Sequence, residues 1–183
     1  TGSVTNSGNT YAGNVGSSVC LVVSNGTLNT AGQLIAGLNA GANNNTVLVT
    51  GSNAVVNADG GIFLGYDINT NNQLIVTNGG TVTTAGQVAV GSATNSGGGN
   101  NQIVISGAGS SLTAQGLLTV ADSSDSNSVT VQNSGTLTSA GGTVISTALS
   151  SPYGGTNNSV LITGSGSTWN NTGDIMIGDA GAG

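Results

Sequence analysis

The amino-acid sequence predicts an all-β fold: a single parallel β-solenoid over residues 1–183, with three short strands per coil and about six to seven coils of roughly 25–30 residues. Three observations carry that reading. The chain repeats itself from end to end. Every copy holds three short apolar segments, with no helical period in any of them. Turn-forming pairs recur at fixed places between the segments.

The copies fall into two lengths. Three long ones align without a gap, "TVLVTGSNAVVNADGGIFLG" from Thr46, "QIVISGAGSSLTAQGLLTVA" from Gln102 and "SVLITGSGSTWNNTGDIMIG" from Ser159. Shorter ones alternate with them, "CLVVSNGTLNTAGQLIAG" from Cys20, "QLIVTNGGTVTTAGQVAVG" from Gln73 and "SVTVQNSGTLTSAGG" from Ser128. A partial copy from Gly2, "GSVTNSGNTYAG", matches "GTLNTAGQLIAG" from Gly26 position by position.

The first strand of a coil alternates, as in Val47 and Val49 or Val160 and Ile162. The second centres on one apolar residue (Leu28, Val56, Val82, Leu112, Leu137, Trp169), and the third alternates again, as in Ile62 and Leu64. Asn25-Gly26 and Asn78-Gly79 separate first and second strands, where a sharp corner needs positive φ. A glycine in register (Gly8, Gly32, Gly60, Gly86, Gly116, Gly173) separates second and third. The pairs Asn44-Asn45, Asn71-Asn72, Asn100-Asn101 and Asn157-Asn158 precede first strands and are expected to stack as an amide ladder. Insertions, including "TALSSPYGGTNN", fall between a third strand and the next first strand. One coil buries too little apolar surface to offset the entropy of ordering it, so stability has to come from stacking.

Composition narrows the function classes. The chain has 33 Gly, 36% hydrophobic residues, no Lys, Arg or His, and six acids, all Asp, for a net charge of −6. Without cations it has nothing to neutralise phosphates, so nucleic acid and anionic membrane surfaces are poor partners. The regular placement of the apolar residues argues against disorder. A single cysteine, Cys20, excludes an internal disulfide framework and has no base to activate it. No apolar run is long enough to cross a bilayer, and no signal-peptide pattern is present. The chain does not begin with Met and is expected to be a piece of something longer.

Solenoids also serve as polysaccharide-degrading enzymes, which need two carboxylates about 5–10 Å apart or a cation beside an enolate. The only close carboxylate pair is Asp122 and Asp125 in "ADSSDSN", read as turn-forming residues of a solvated loop, with weak calcium binding as the alternative. No catalysis, metal or cofactor is expected.

The stretch "VLITGSGSTWNNTGDIMIGDAGAG", together with "TNGGTVTTAGQVAVG", resembles the repeat of autotransporter passenger regions and PEP-CTERM surface proteins. The likeness covers nearly the whole chain and weakens in the coil from Ser128, where Thr147 replaces the glycine after the third strand. It implies a secreted bacterial surface β-helix, part of a long adhesive or matrix protein, and brings no catalytic residues.

Three surfaces are candidates for contact. The outward row of the first strands reads Val22, Leu48, Ile75, Val104, Thr130, Leu161; that of the third strands reads Tyr11, Ile35, Phe63, Ala89, Thr119, Met176. Both are expected to run along the rod as apolar stripes for lateral association, unless loops cover them. The second strands expose a column Thr27, Val55, Thr81, Ser111, Thr136, Thr168 and another Asn29, Asn57, Thr83, Thr113, Thr138, Asn170. Such columns suit parallel stacking; an ice-binding or carbohydrate-binding face is the alternative. Self-association, end to end and lateral, or continuation into further repeats is the expected partnership, with surface glycans as other partners.

Overall fold

The structure, a computed structural model, describes residues 2–91, 98–121, 124–140, 143–145 and 155–178. It contains strands and turns and no helix among those residues. The chain opens with β1 (Ser3–Asn6) and β2 (Thr10–Ala12). Three-strand coils follow: β3 (Cys20–Ser24), β4 (Thr27–Thr30), β5 (Leu34–Ala36); β6 (Thr46–Thr50), β7 (Val55–Ala58), β8 (Ile62–Leu64); β9 (Gln73–Thr77), β10 (Thr81–Thr84), β11 (Val88–Val90). The later coils are β12 (Gln102–Ser106), β13 (Ser111–Ala114), β14 (Leu118–Val120); β15 (Ser128–Gln132), β16 (Thr136–Ser139), β17 (Thr143–Ile145); and β18 (Ser159–Thr163), β19 (Thr168–Asn171), β20 (Ile175–Ile177).

Like strands stack on like strands. The first strands form a six-stranded sheet from β3 to β18, the second a seven-stranded sheet from β1 to β19, and the third a seven-stranded sheet from β2 to β20. We call these sheets 1, 2 and 3. Every pairing is parallel, which makes the chain a parallel β-solenoid, as its repeats predict. In sheet 1 the predicted interior row is in register: Leu21 pairs with Val47, Val47 with Leu74, Leu74 with Ile103, Ile103 with Val129 and Val129 with Val160. The partial first copy also pairs as aligned, Ser3 with Thr27 through Asn6 with Thr30.

Period-two alternation sends these rows inward, where they meet Leu28, Val56, Val82, Leu112 and Leu137 from sheet 2 and Leu34, Ile62, Val88 and Leu118 from sheet 3 in one core. The middle coils seal it, with Val47, Leu74, Ile103 and Leu112 all 0% exposed. A second, smaller core lies on the outside of sheet 3. Ile35, Phe63 and Ala89 face away from the main core yet are buried beneath Leu38 and Tyr66 from the loops after β5 and β8. The rings of Phe63 and Tyr66 meet edge to face, centroids 5.5 Å apart.

The corners differ in what they require. Between β3 and β4 the positive φ belongs to Asn25 (50°), whereas Gly26 lies outside the left-handed region; between β9 and β10 both Asn78 (53°) and Gly79 (82°) adopt it. At the corner between sheets 2 and 3 the glycines stack backbone on backbone, and a Cβ on Gly60 would stand 2.7 Å from the carbonyl carbon of Gly32. That column is glycine for lack of space, not for its φ.

Candidate functional site

The corner before sheet 1 holds the most ordered polar feature. Asn45, Asn72, Asn101, Asn127 and Asn158 stack inward as an amide ladder, each Nδ2 donating to the Oδ1 of the next at 3.0–3.2 Å. The same oxygens accept backbone N–H groups, from Asn45 to Asn72 at 3.1 Å and from Asn127 to Asn158 at 2.8 Å. Each rung is preceded by a residue in the left-handed region: Asn44, Asn71, Asn100, Ser126 and Asn157 have φ between 53° and 58°. One member of each pair turns the chain and the other enters the interior, which explains why the pairs are Asn-Asn. Asn127 was not legible as a rung, because Ser126 breaks the pair; its signal was its place one residue before β15. Asn45, Asn72, Asn101 and Asn127 are fully buried, so the ladder is structural and offers no ligand an opening.

The outer faces carry the candidate interaction residues. Val22, Leu48, Ile75, Val104 and Leu161 do line up, paired rung to rung through Thr130, on the outward side of sheet 1. Val22 and Leu161 at the two ends are 51% and 52% exposed, and Leu48, Ile75 and Val104 between them are partly exposed. Rows of polar residues flank the column: Cys20, Thr46, Gln73, Gln102, Ser128 and Ser159 on one side, Ser24, Thr50, Thr77, Ser106, Gln132 and Thr163 on the other.

Sheet 3 corrects the corresponding expectation. Its row is in register, Tyr11 with Ile35 and Ile35 with Phe63, but Ile35 is 1% and Phe63 5% exposed. The loops after the third strands fold back over the row, so these two residues form no open stripe. Tyr11 and Met176, near opposite ends of the sheet, are each 41% exposed.

The two columns of sheet 2 are also in register. Their polar groups partly satisfy one another: Asn57 Nδ2 donates to Asn29 Oδ1 at 2.8 Å, and the Thr83 hydroxyl donates to Asn57 Oδ1 at 2.6 Å. Val55 interrupts the first column.

Among the described residues the acids stand apart from all three sheets, Asp59, Asp67, Asp125 and Asp174 lying outside every strand. The Asp125 carboxylate accepts the backbone N–H and hydroxyl of Thr156, at 2.6 and 3.0 Å, and so ties two loops together. Asp122 and Asp179 lie outside the described residues, and with Asp122 goes the calcium alternative. Among the described residues no three metal-ligating side chains gather. Cys20 is exposed at the edge of sheet 1.

The first and last described coils bury their inward residues less than the middle ones do. A cavity of about 600 Å³ is lined by Val4, Leu21, Val23 and Leu28 beside β1 and β3. In the last coil Ile162, Ile175 and Ile177 are 38%, 47% and 75% exposed.

Comparison of the chain with protein-family models, with curated proteins and with solved structures finds no match.

Proposed function

We propose that the chain is an extracellular structural and adhesive segment of a bacterial surface protein, fibre or matrix, a β-helical rod that associates with copies of itself or with adjoining repeats. The observation that carries the reading is the distribution of side chains on an in-register rod. Hydroxyl, amide and apolar groups occupy the strand faces, and each Asp among the described residues lies in a corner or loop. Such a surface suits repeated, shallow contacts along a length better than capture of one small molecule in a pocket. The likeness of "GSGSTWNNTGDIMIG" to autotransporter passenger and PEP-CTERM repeats supports the same location. On this reading the chain catalyses nothing and binds neither nucleic acid nor a cofactor.

A second reading, an ice-binding or carbohydrate-binding face on sheet 2, is favoured by its two in-register Thr and Asn columns. The mutual hydrogen bonds of Asn29, Asn57 and Thr83 count against it, since they use polar atoms a ligand would need. Thermal hysteresis of the purified domain tests that alternative.

The main reading is tested by labelling intact cells of the producing organism with an antibody raised against the folded chain. Label on the outer surface or on extracellular fibres is the expected result. Antigen that becomes accessible only after lysis would overturn it.

A further inference from the structure

The rod has two outward apolar rows, and the fold treats them differently. On sheet 3 the chain covers Ile35, Phe63 and Ala89 with its own Leu38 and Tyr66. On sheet 1 Val22 is 51% exposed and Leu48, Ile75 and Val104 are partly exposed, and among the described residues no second cluster like that of sheet 3 forms over them. The uncovered row forms a central apolar column between two polar, uncharged columns, on six strands that contain no acid.

We propose that this face of sheet 1 packs against the same face of a second copy of the chain, column against column. The inference rests on the reading of the chain as a self-associating structural segment and names the surface and the partner. A second copy is the occupant whose rungs repeat at the same spacing of about 4.8 Å, so that a knob and a gap recur in step along both rods. The polar flanks then provide a rim of Gln, Thr and Ser hydrogen bonds, and the sheets approach to about 10 Å. The described acids, outside the strands, stay at the periphery, where salt screens their repulsion.

Area sets the strength. Six strands at about 4.8 Å, each five residues of about 3.3 Å, give a face of roughly 480 Å². A stable interface needs about 800 Å² per partner. One chain of this length therefore makes a weak side-to-side contact, and about ten coils in succession would make a durable one. Lateral bundling is thus a property of long arrays of these coils, with each coil adding roughly 80 Å².

A weak contact is best read by covalent trapping. In a Cys20→Ser background, Ile75→Cys and, separately, Val104→Cys place one thiol near the centre of the column, within a rung of its equivalent whether the rods run parallel or antiparallel. Thr83→Cys places it on the outer face of sheet 2. With a short bismaleimide cross-linker, since sheets about 10 Å apart hold facing Cα atoms beyond the roughly 7 Å that a disulfide spans, both column variants are expected to give covalent dimers, with a yield that high salt leaves unchanged or raises, while Thr83→Cys stays monomeric. Adding Leu48→Ser to either column variant should reduce the dimer several-fold without altering the far-UV spectrum, because the Leu48 side chain points out of the core. The proposal is overturned if Thr83→Cys cross-links as readily as the column variants, if both folded column variants stay monomeric at millimolar concentration, or if high salt abolishes the dimer. These results leave the cell-labelling test of surface location untouched, so the two ideas fail separately.

Discussion

Asn72 gives two hydrogen bonds to one oxygen atom of Asn101: its backbone N–H at 2.9 Å and its side-chain Nδ2 at 3.1 Å. Both residues have no exposed surface, so neither donor has water as a substitute. Asn101 in turn donates from Nδ2 to Asn127 Oδ1 and to the carbonyl of Asn69.

Removing that amide is expected to be costly. Asn101→Ala strands two buried donors on Asn72, each worth about 1–3 kcal/mol when left unpaired. Asn101→Asp keeps an acceptor for Asn72 but loses the donors to Asn127 and Asn69 and sets a buried carboxylate against two oxygens. Its folded pKa should therefore rise above the unfolded value, and the native state binds the extra proton. Stability of that variant then falls as pH rises from the unfolded pKa through the folded one and is best below both. Denaturation of both variants across acidic and neutral pH checks this; a flat profile for Asn101→Asp would show that the carboxylate reaches water.

The glycine over the ladder gives a second test. Gly65 has φ 66°, and a Cβ there would collide with the side chain of Asn101. Gly41 has φ 89° with nothing within 4 Å. Gly41→Ala should cost about 1–2 kcal/mol, the left-handed penalty alone, and Gly65→Ala clearly more. Equal losses in thermal unfolding would mean that the ladder yields to the methyl group.

Inside and outside of sheet 1 are separated by a single residue. Ile103 is fully buried and Val104 partly exposed. Ile103→Asp is expected to unfold neighbouring coils by burying an unpaired charge, whereas Val104→Ser should stay within about 1 kcal/mol. Circular dichroism of the two variants decides it, and similar tolerance at both sites would invert the assigned faces.

The strand rows, the coil order and the amide ladder were legible in the sequence because a solenoid writes its contacts as repeats: a residue and its stacking partner occupy the same place in successive copies. Val47 and Leu74, or Asn72 and Asn101, could be paired by alignment alone. The fate of Ile35 and Phe63 was not legible, because period two gives only the side of a strand, and what covers that side depends on where Leu38 and Tyr66 land. Leu38 and Tyr66 hold equivalent places just after the third strand, but the apolar residue is not kept there in other copies, where the sequence has Asn14, Ser92 and Asp179. The stacked corner glycines were legible as positions, but the close backbone contact behind them appears only in three dimensions.

The small outer core should be separable from the main one. Phe63→Ala removes the ring that packs with Ile35, Ala89, Leu38 and Tyr66, at a cost near the low end of the about 3–5 kcal/mol typical of buried aromatics. The expected result is a protease-sensitive loop around Asn39–Gly41 with the far-UV spectrum retained. Loss of strand content along with the loop would show that the outer core is needed for stacking itself.

Trp169 reports on the last described coil. It is the only tryptophan, it pairs with Leu137 in the layer below, and its Nε1 donates to the Ser139 hydroxyl at 3.1 Å. Around it the inward residues are open, Ile177 at 75% exposed, whereas Ile103 and Leu112 in the middle coils are sealed. A stack of coils behaves as a one-dimensional array, in which an end layer has one neighbour and an inner layer two. In the isolated 183-residue chain the coil of Trp169 is such an end layer and is expected to melt first. Tryptophan emission is expected to shift to the red at lower denaturant than the far-UV signal is lost, and Leu137→Ala should move the fluorescence transition further than the far-UV one. If both signals changed together in the parent and in the variant, the chain would unfold as one unit and the coils could not be treated as separable layers.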